Sequence, residues 1–478
     1  MIVAKFGGSS VDGAEGIERV AGIVRAMIAI RGGARRENEW PVVVVSAMAK
    51  TTRHLLASAE EAAAGNLAAA LARCASLEAF HRAAAAAVPA AGLAAAEAAV
   101  ERSFVELRAL LASLAETRRL TPAAADAAAA HGELMSSAIL AQALPRFGVD
   151  AAWIDCRQVI VTDDAFTRAR PLYDETGRLL RAAIPPLLAR GKVPVLGGYV
   201  GATREGATTT LGKEGSDFSA AIVGAALGAR EVRIWTDVDG ILSADPRLVP
   251  SARRVRTLSF AEALELSCSG AKKPHPGTLE PARRGGIPIR ILNSLAAGGE
   301  GTLIGRRGAA PPTIKSIACR ANDHLIHAMP ESAGAIPAGG FVPAVLGVAE
   351  RLRPALLVLS AAPDAVHLAL DHAERLAEVR AALAGVSRVG VVRGRAVISL
   401  VSEDLALVPE LAARALAAAR EFEPRLVVTG AAAPAVRCLV EEEDMPAAVA
   451  AIHRRLFPDP APGAAAPAVR GSRLEVIE

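Results

Sequence analysis

Short apolar runs of strand length return along the first three hundred residues, each separated from the next by a stretch with helical periodicity. MIVAKF, PVVVVSA, DAAWID, KVPVLGGYVG, EVRIWTDVDG and IPIRILN are the strand-like runs; IERVAGIVRAMIAI, RLLRAAIPPLLA, SDFSAAIVGAALGA and FAEALELSCSGA lie between them. Strands apolar on both faces need cover on both faces, so the alternation argues for a parallel sheet flanked by helices. Open sheets of this kind bind ligands beyond the carboxyl ends of their strands. Lys5-Phe6-Gly7-Gly8, Ser46 and Thr236-Asp237 all fall at such ends.

At 478 residues the chain calls for two or three domains. A net charge of +4, with scattered basic residues and 3% aromatics, gives no footing for nucleic acid. The five cysteines, Cys74, Cys156, Cys268, Cys319 and Cys438, are odd in number and widely spaced, which supports neither a disulfide framework nor a zinc site. They read as thiols in a reducing compartment. No signal-peptide pattern opens the chain and no apolar run reaches membrane-spanning length, so a cytoplasmic protein without membrane partners is expected.

Residues 1–305 carry the strand–helix alternation, and the Gly- and Pro-bearing residues 306–320 read as a linker. From 321 to 460 the units shorten, and strand, helix, two strands, helix, strand occurs about twice, as in a pair of small α+β units. The Pro/Ala/Gly-rich residues 461–478 are expected to be disordered.

Two glycine-bearing loops stand before helices: KFGGSS at residues 5–10 and TTTLGKEGSD at 208–217. Neither has Walker A spacing. One such loop is as often a plain tight turn as a ligand site; two in one sheet, each with a lysine, point to an anion facing two helix N-termini. WTDVDGILSADPR and GAKKPHP would each pass alone for turns, and HGELMSS for a helix with a surface glutamate.

Taken in order, KFGGSSV, SAMAKTTRHLL, HGELMS, TTTLGKEGSD, WTDVDGI with ADPR, and GAKKPHP resemble the motif series of the aspartate kinases, within the amino-acid kinase family. The resemblance covers residues 1–305. It implies an α/β amino-acid-kinase sandwich with a mostly parallel sheet, followed by two ferredoxin-like ACT units of the monofunctional, lysine-sensitive type. With the residues ending near 478, no fused homoserine dehydrogenase of the kind in bifunctional relatives is expected. The implied reaction transfers the γ-phosphoryl group of ATP, with Mg²⁺, to the side-chain carboxylate of L-aspartate, giving 4-phospho-L-aspartate. That is the first step of aspartate-family amino-acid biosynthesis, lysine included. A carboxylate nucleophile needs no general base, so charge stabilisation should dominate catalysis.

The same resemblance assigns the residues. Lys5 would stabilise the transferring phosphoryl group and Asp217 would orient the lysines. Ser46, Thr52, Glu133, Lys213 and Ser216 would hold aspartate, with Glu133 on its ammonium group. Gly7, Gly8 and Ser9 would open the main chain to the phosphates. Thr236, Asp237, Leu242, Arg247, Lys272 and Lys273, with Lys5, would line the ATP pocket. No protein ligand set for a metal is implied, since Mg²⁺ would be held by phosphate oxygens and water. A homodimer or higher homo-oligomer through the ACT-like region is expected.

Three positions depart from the family pattern. GKEGSD stands where relatives carry G-R-G-G-S-D, so Lys213 offers a point charge instead of a fork. Leu242 replaces a common aromatic, and VLSAAPDAVHLALD replaces a polar effector-binding stretch. These departures keep two alternatives open: a kinase for another amino acid, and a catalytically retired amino-acid-sensing protein.

Overall fold

The computed structural model describes residues 1–28, 40–271, 274–306, 313–330, 340–352, 356–370, 375–429 and 434–458. These fall into two units. The first takes Met1–Ser243, Arg253–Pro311 and Val401–Glu403; the second takes Ala244–Ala252 and the described residues of Pro312–Leu400 and Asp404–Glu478.

In the first unit the strands are β1 (Ile2–Phe6), β2 (Pro41–Val45), β3 (Ala151–Ile154), β4 (Val193–Gly197), β5 (Val200–Ala202), β6 (Thr208–Thr210), β7 (Glu231–Thr236), β8 (Thr257–Ser259), β9 (Ile289–Asn293) and β10 (Thr302–Gly305). Its helices are α1 (Gly13–Ile28), α2 (Thr51–Ala63), α3 (Leu67–Ala84), α4 (Ala90–Thr117), α5 (Pro122–Ala143), α6 (Tyr173–Ala189), α7 (Gly215–Leu227), α8 (Phe260–Cys268) and α9 (Pro276–Gly285). Eight strands form one sheet in the order β3-β4-β2-β1-β7-β9-β10-β8. Its ladders are parallel except where β10 meets β9. β5 and β6 make a separate antiparallel hairpin.

Register places the site. Phe6 stands opposite both Val45 and Trp235, and Val45 opposite Gly197, so β1, β2, β4 and β7 end level. Gly7, Ser46, Gly198 and Thr236 therefore emerge side by side. Alternation sets which side chain faces which layer: Ala4 and Phe6 join the apolar core built by α1–α5. Val3 faces the other way, toward Gly224 of α7, where an added Cβ would lie 3.9 Å from Val3 and 2.6 Å from Val232. Lys5 shares the Val3 face.

The second unit holds β11 (Ser316–Met329), α10 (Phe341–Arg351), β12 (Leu356–Ala362), β13 (Ala365–Leu370), α11 (Leu376–Leu383), β14 (Arg388–Val401), α12 (Pro409–Ala419), β15 (Leu426–Val428), β16 (Ala435–Glu441) and α13 (Met445–Leu456). Six strands join in the order β12-β13-β11-β14-β16-β15. Two α+β units are present, but they are nested, where the sequence pattern suggested two in succession. The start of β11 and the end of β14 supply Ile317, Ala396, Ile398 and Leu400 to a core with α12, β16 and α13. The end of β11 and the start of β14 supply Ile326, Ala328, Val389 and Val391 to a second core with α10, β13 and α11. Strand β11 begins inside the segment read as a linker, and Ile314 just before it is buried in the first of these cores. Residues 461–478 lie outside the described residues.

Candidate active site

Lys5, fourth in β1, is 3% exposed, and its Nζ lies 2.5 Å from Oδ1 of Asp217, which is 1% exposed. Asp217 occupies the first turn of α7, where a negative charge is favoured by the helix dipole and by the unpaired N–H groups. The pair brings a cation to the carboxyl end of β1 and beside a helix N-terminus.

The glycine turn after β1 differs from expectation. The Gly7 N–H donates to Trp235 O at 3.0 Å, extending the sheet, so it is not aimed at a phosphate. A Cβ on Gly8 would stand 2.8 Å from Ala47 O and 2.9 Å from Ala49 O, so Gly8 is small because the neighbouring loop runs against it. Ala49 N donates to Gly8 O at 3.0 Å, locking the two loops together. Ser9 is exposed, whereas Ser10 is buried and bonded to Ser294 Oγ at 2.8 Å.

Glu133 lies in mid-α5, 4% exposed. Burial pushes its carboxyl up to about 8, partly opposed by the Ala47 N–H and by the charge of Lys5. Its Oε2 is buried without a hydrogen-bond partner. A surface glutamate would show neither property. Gly132 lets α5 close on the loop after β2, since an added Cβ would lie 2.7 Å from Ala47 Cβ. Ser136 Oγ donates to Ser46 O at 2.7 Å, so Ser46 and Glu133 are held by one helix. Thr52 is half-buried in the first turn of α2; the neighbouring Thr51 is the buried one.

The second glycine loop delivers Lys213, exposed, and Ser216, buried against Gly198. Glu214 sits at φ 55°, in the left-handed region that favours glycine. Tyr199, at φ 63°, is another bulky residue held there. Burial pushes its hydroxyl up to about 12, with Glu133 and Asp126 adding to the effect and the Thr210 side chain opposing it. His275, which caps α9 by accepting from the Gly277 N–H at 3.2 Å, is held below its usual value by burial and by the charge of Lys213; Glu214 and Asp217 oppose this. Lys213, Glu214, Asp217 and His275 thus share one electrostatic neighbourhood.

Thr236 Oγ1 donates to Asp237 Oδ1 at 3.0 Å, and Ser294 Oγ donates to Thr236 O at 3.0 Å, at the end of β7 beside Gly7. Asp237 is exposed and Leu242 half-buried, the latter bridged to Arg254. Arg247 is exposed and paired with Asp245 at 2.5 Å, on a segment that groups with the second unit. Lys272 and Lys273 lie outside the described residues. Among the described residues no group of three or more His, Cys, Asp or Glu could hold a metal ion, and no helix is long and apolar enough to cross a membrane.

Sequence reasoning missed Asp126, Tyr199 and His275. For Asp126 a signal existed: an aspartate alone in TPAAADAAAAHGE, seven residues before Glu133, lies on the same side of a helix.

Residues 1–293 match the amino acid kinase family, and the chain belongs to that family. Lysine-sensitive aspartokinase 3 of Escherichia coli (strain K12) is 32% identical over 467 residues, 96% of this chain and 99% of the relative. Aspartokinase 1, chloroplastic, of Arabidopsis thaliana is 30% identical over 485 residues, 95% of this chain and 80% of the relative. The crystal structure of E. coli aspartokinase III in complex with aspartate and ADP (R-state) matches with a TM-score of 0.81 at 30% identity, covering 96% of this chain and 100% of that one. Within the amino acid kinases, the chain falls among the aspartokinases.

Proposed function

We propose that the chain transfers the γ-phosphoryl group of ATP to the side-chain carboxylate of L-aspartate, giving 4-phospho-L-aspartate. The observation that carries this reading is the pairing of two opposite sites. Glu133, a buried carboxylate with a free oxygen, suits an ammonium group; Lys5, beside the α7 N-terminus, suits the anions that must meet. The substrate carboxylate is already the nucleophile, so the protein must position it and absorb the charge spreading over the phosphoryl oxygens. Lys5, fixed by Asp217, does the second. Glu133, Ser46, Thr52, Ser216 and Lys213 do the first. Thr236 and Asp237 would receive the nucleotide, with Gly8, Ser9 and Leu242 near it and Lys272 and Lys273 supplying further charge.

Mg²⁺ would arrive on the nucleotide, held by phosphate oxygens and water, which suits a site with no cluster of metal-ligating side chains among the described residues. It would neutralise phosphate charge as transfer proceeds. We place the enzyme in the cytoplasm, its five cysteines all free thiols, and expect homodimers through the second unit. Aspartate, ATP and Mg²⁺ with hydroxylamine should yield aspartyl hydroxamate, and Glu133→Gln should lose most of that signal at low aspartate. A wild-type enzyme silent on aspartate but active on another amino acid would overturn the substrate assignment.

A further inference from the structure

Asp126 is 1% exposed and sits on α5, yet its carboxylate accepts from segments outside that helix. Its Oδ2 accepts from Thr167 N at 2.8 Å and from Thr210 N at 2.9 Å; its Oδ1 accepts from Thr210 Oγ1 at 2.5 Å. Both acceptors are spent on segments that frame the second glycine loop. Thr210 ends β6, three residues before Lys213. Thr167 stands at φ 70°, a position a β-branched residue seldom adopts, and its carbonyl lies 3.2 Å from where a Cβ on Gly212 would be. Ala169 N closes the arrangement by donating to Thr210 O at 2.9 Å. The Lys213 loop is therefore clamped from both sides by one carboxylate.

Glu133 lies on the same side of α5, seven residues on, or roughly 10 Å along the axis. One rigid helix then fixes both ends of an amino-acid site: the group facing the substrate ammonium and the anchor of the loop facing its α-carboxylate. Building on the aspartate-kinase reading, we propose that Asp126 is a positioning residue that sets the Lys213 loop at the correct distance from Glu133 and so tunes affinity for aspartate. It does not touch substrate.

The test is steady-state kinetics on the purified full chain. Asp126→Ala should raise the KM for aspartate about tenfold or more while kcat and the KM for ATP stay within about threefold. Asp126→Asn should restore most of the affinity, because its Oδ1 can accept from both amides while its Nδ2 donates to Thr210 Oγ1. If Asp126→Ala does not fold, Thr210→Val removes the hydroxyl bond to Asp126 while leaving both amide bonds to it, and should still raise the aspartate KM by about threefold. Adding Asp126→Ala to Lys213→Ala should raise the aspartate KM no further than Lys213→Ala alone. A fall in kcat with both KM values unchanged, equal rises in both KM values, or additive effects with Lys213→Ala would each overturn the proposal. A wild-type enzyme that phosphorylates no aspartate would instead overturn the reading beneath it.

Discussion

At the scale of single residues, the buried Lys5–Asp217 pair ties catalysis to stability. Removing one partner of a buried ion pair leaves the other charge uncompensated and costs about 3–5 kcal/mol. Lys5→Ala should therefore lower turnover by about two to three orders of magnitude and also lower Tm. The double variant Lys5→Ala with Asp217→Ala should regain much of the Tm and none of the turnover; recovered turnover would remove Lys5 from the chemistry. Glu133 yields a pH prediction. Burial raises it from 4.5 to about 8, so in the free enzyme below that pH it keeps its proton and cannot pair with an ammonium group. The kcat/KM for aspartate should rise about tenfold per unit below pH 8 and level off above, and Glu133→Gln should abolish that limb. The folded state binds the extra proton between 4.5 and about 8, so stability without substrate falls as pH rises through that window. Thermal melts of Glu133→Gln should lack that slope. Lys5 was legible in the sequence because a lysine at the mouth of an apolar strand has few other uses. Glu133 was legible only through its motif, because a lone glutamate in an alanine-rich helix is normally a surface charge.

At the scale of elements, strand ends and the turns after them determine what can be substituted. A Cβ on Gly7 would meet Trp235 O at 3.5 Å and Lys5 Nζ at 3.6 Å, ordinary contacts, whereas one on Gly8 would press within 3.0 Å of two carbonyl oxygens of the next loop. Gly7→Ala should fold with near wild-type stability, its Cβ in ordinary contact with Lys5. Gly8→Ala should cost about 1–3 kcal/mol, read by denaturant melts, because the loop of Ala47–Ala49 has to move. Equal stability of the two would contradict this account. The alternation of strands and helices was readable because continuous apolar strands can only be buried on both faces. The purpose of Gly8 was not, because the carbonyls it meets are about forty residues away in sequence. The loop before α7 carries its own test: Glu214 at φ 55° spends conformational energy that a glycine would not. Glu214→Gly should stabilise the enzyme by about 0.5–1 kcal/mol, the relief of strain outweighing the added freedom of the unfolded chain. A lowered Tm would show that the glutamate contributes a contact worth more than the strain.

At the scale of the whole molecule, nesting explains why the C-terminal half resisted a reading by repeats. Strands β11 and β14 each serve two cores, so the boundary between the α+β units falls inside strands, where no loop composition marks it. Regulation follows from what the inner unit presents. The E. coli relative is described as lysine-sensitive, and its T-state structure holds lysine and aspartate. An amino-acid effector bound at strand ends needs donors for its carboxylate and acceptors for its ammonium group. In this chain β12 ends Ser360-Ala361-Ala362, paired through Ala361↔Val366 and Ala362↔Ala365 to β13, with Pro363 in the turn between them. The Ser360 hydroxyl is engaged with His367 Nδ1 at 2.8 Å, Ala361 and Ala362 carry no polar side chain, and Pro363 has no N–H. Residues 331–339 lie outside the described residues. Both cores are nonetheless built from buried apolar side chains of strands and helices. Lysine should accordingly inhibit weakly, with half-inhibition only in the range of several millimolar (~1.4 kcal/mol for each tenfold of lost affinity). Titrating lysine and threonine, singly and together, into the hydroxamate assay while following mass by light scattering checks this: strong inhibition by submillimolar lysine would show that the poor strand end is compensated elsewhere. A shift in mass with lysine would place that compensation at an interface between copies of the chain.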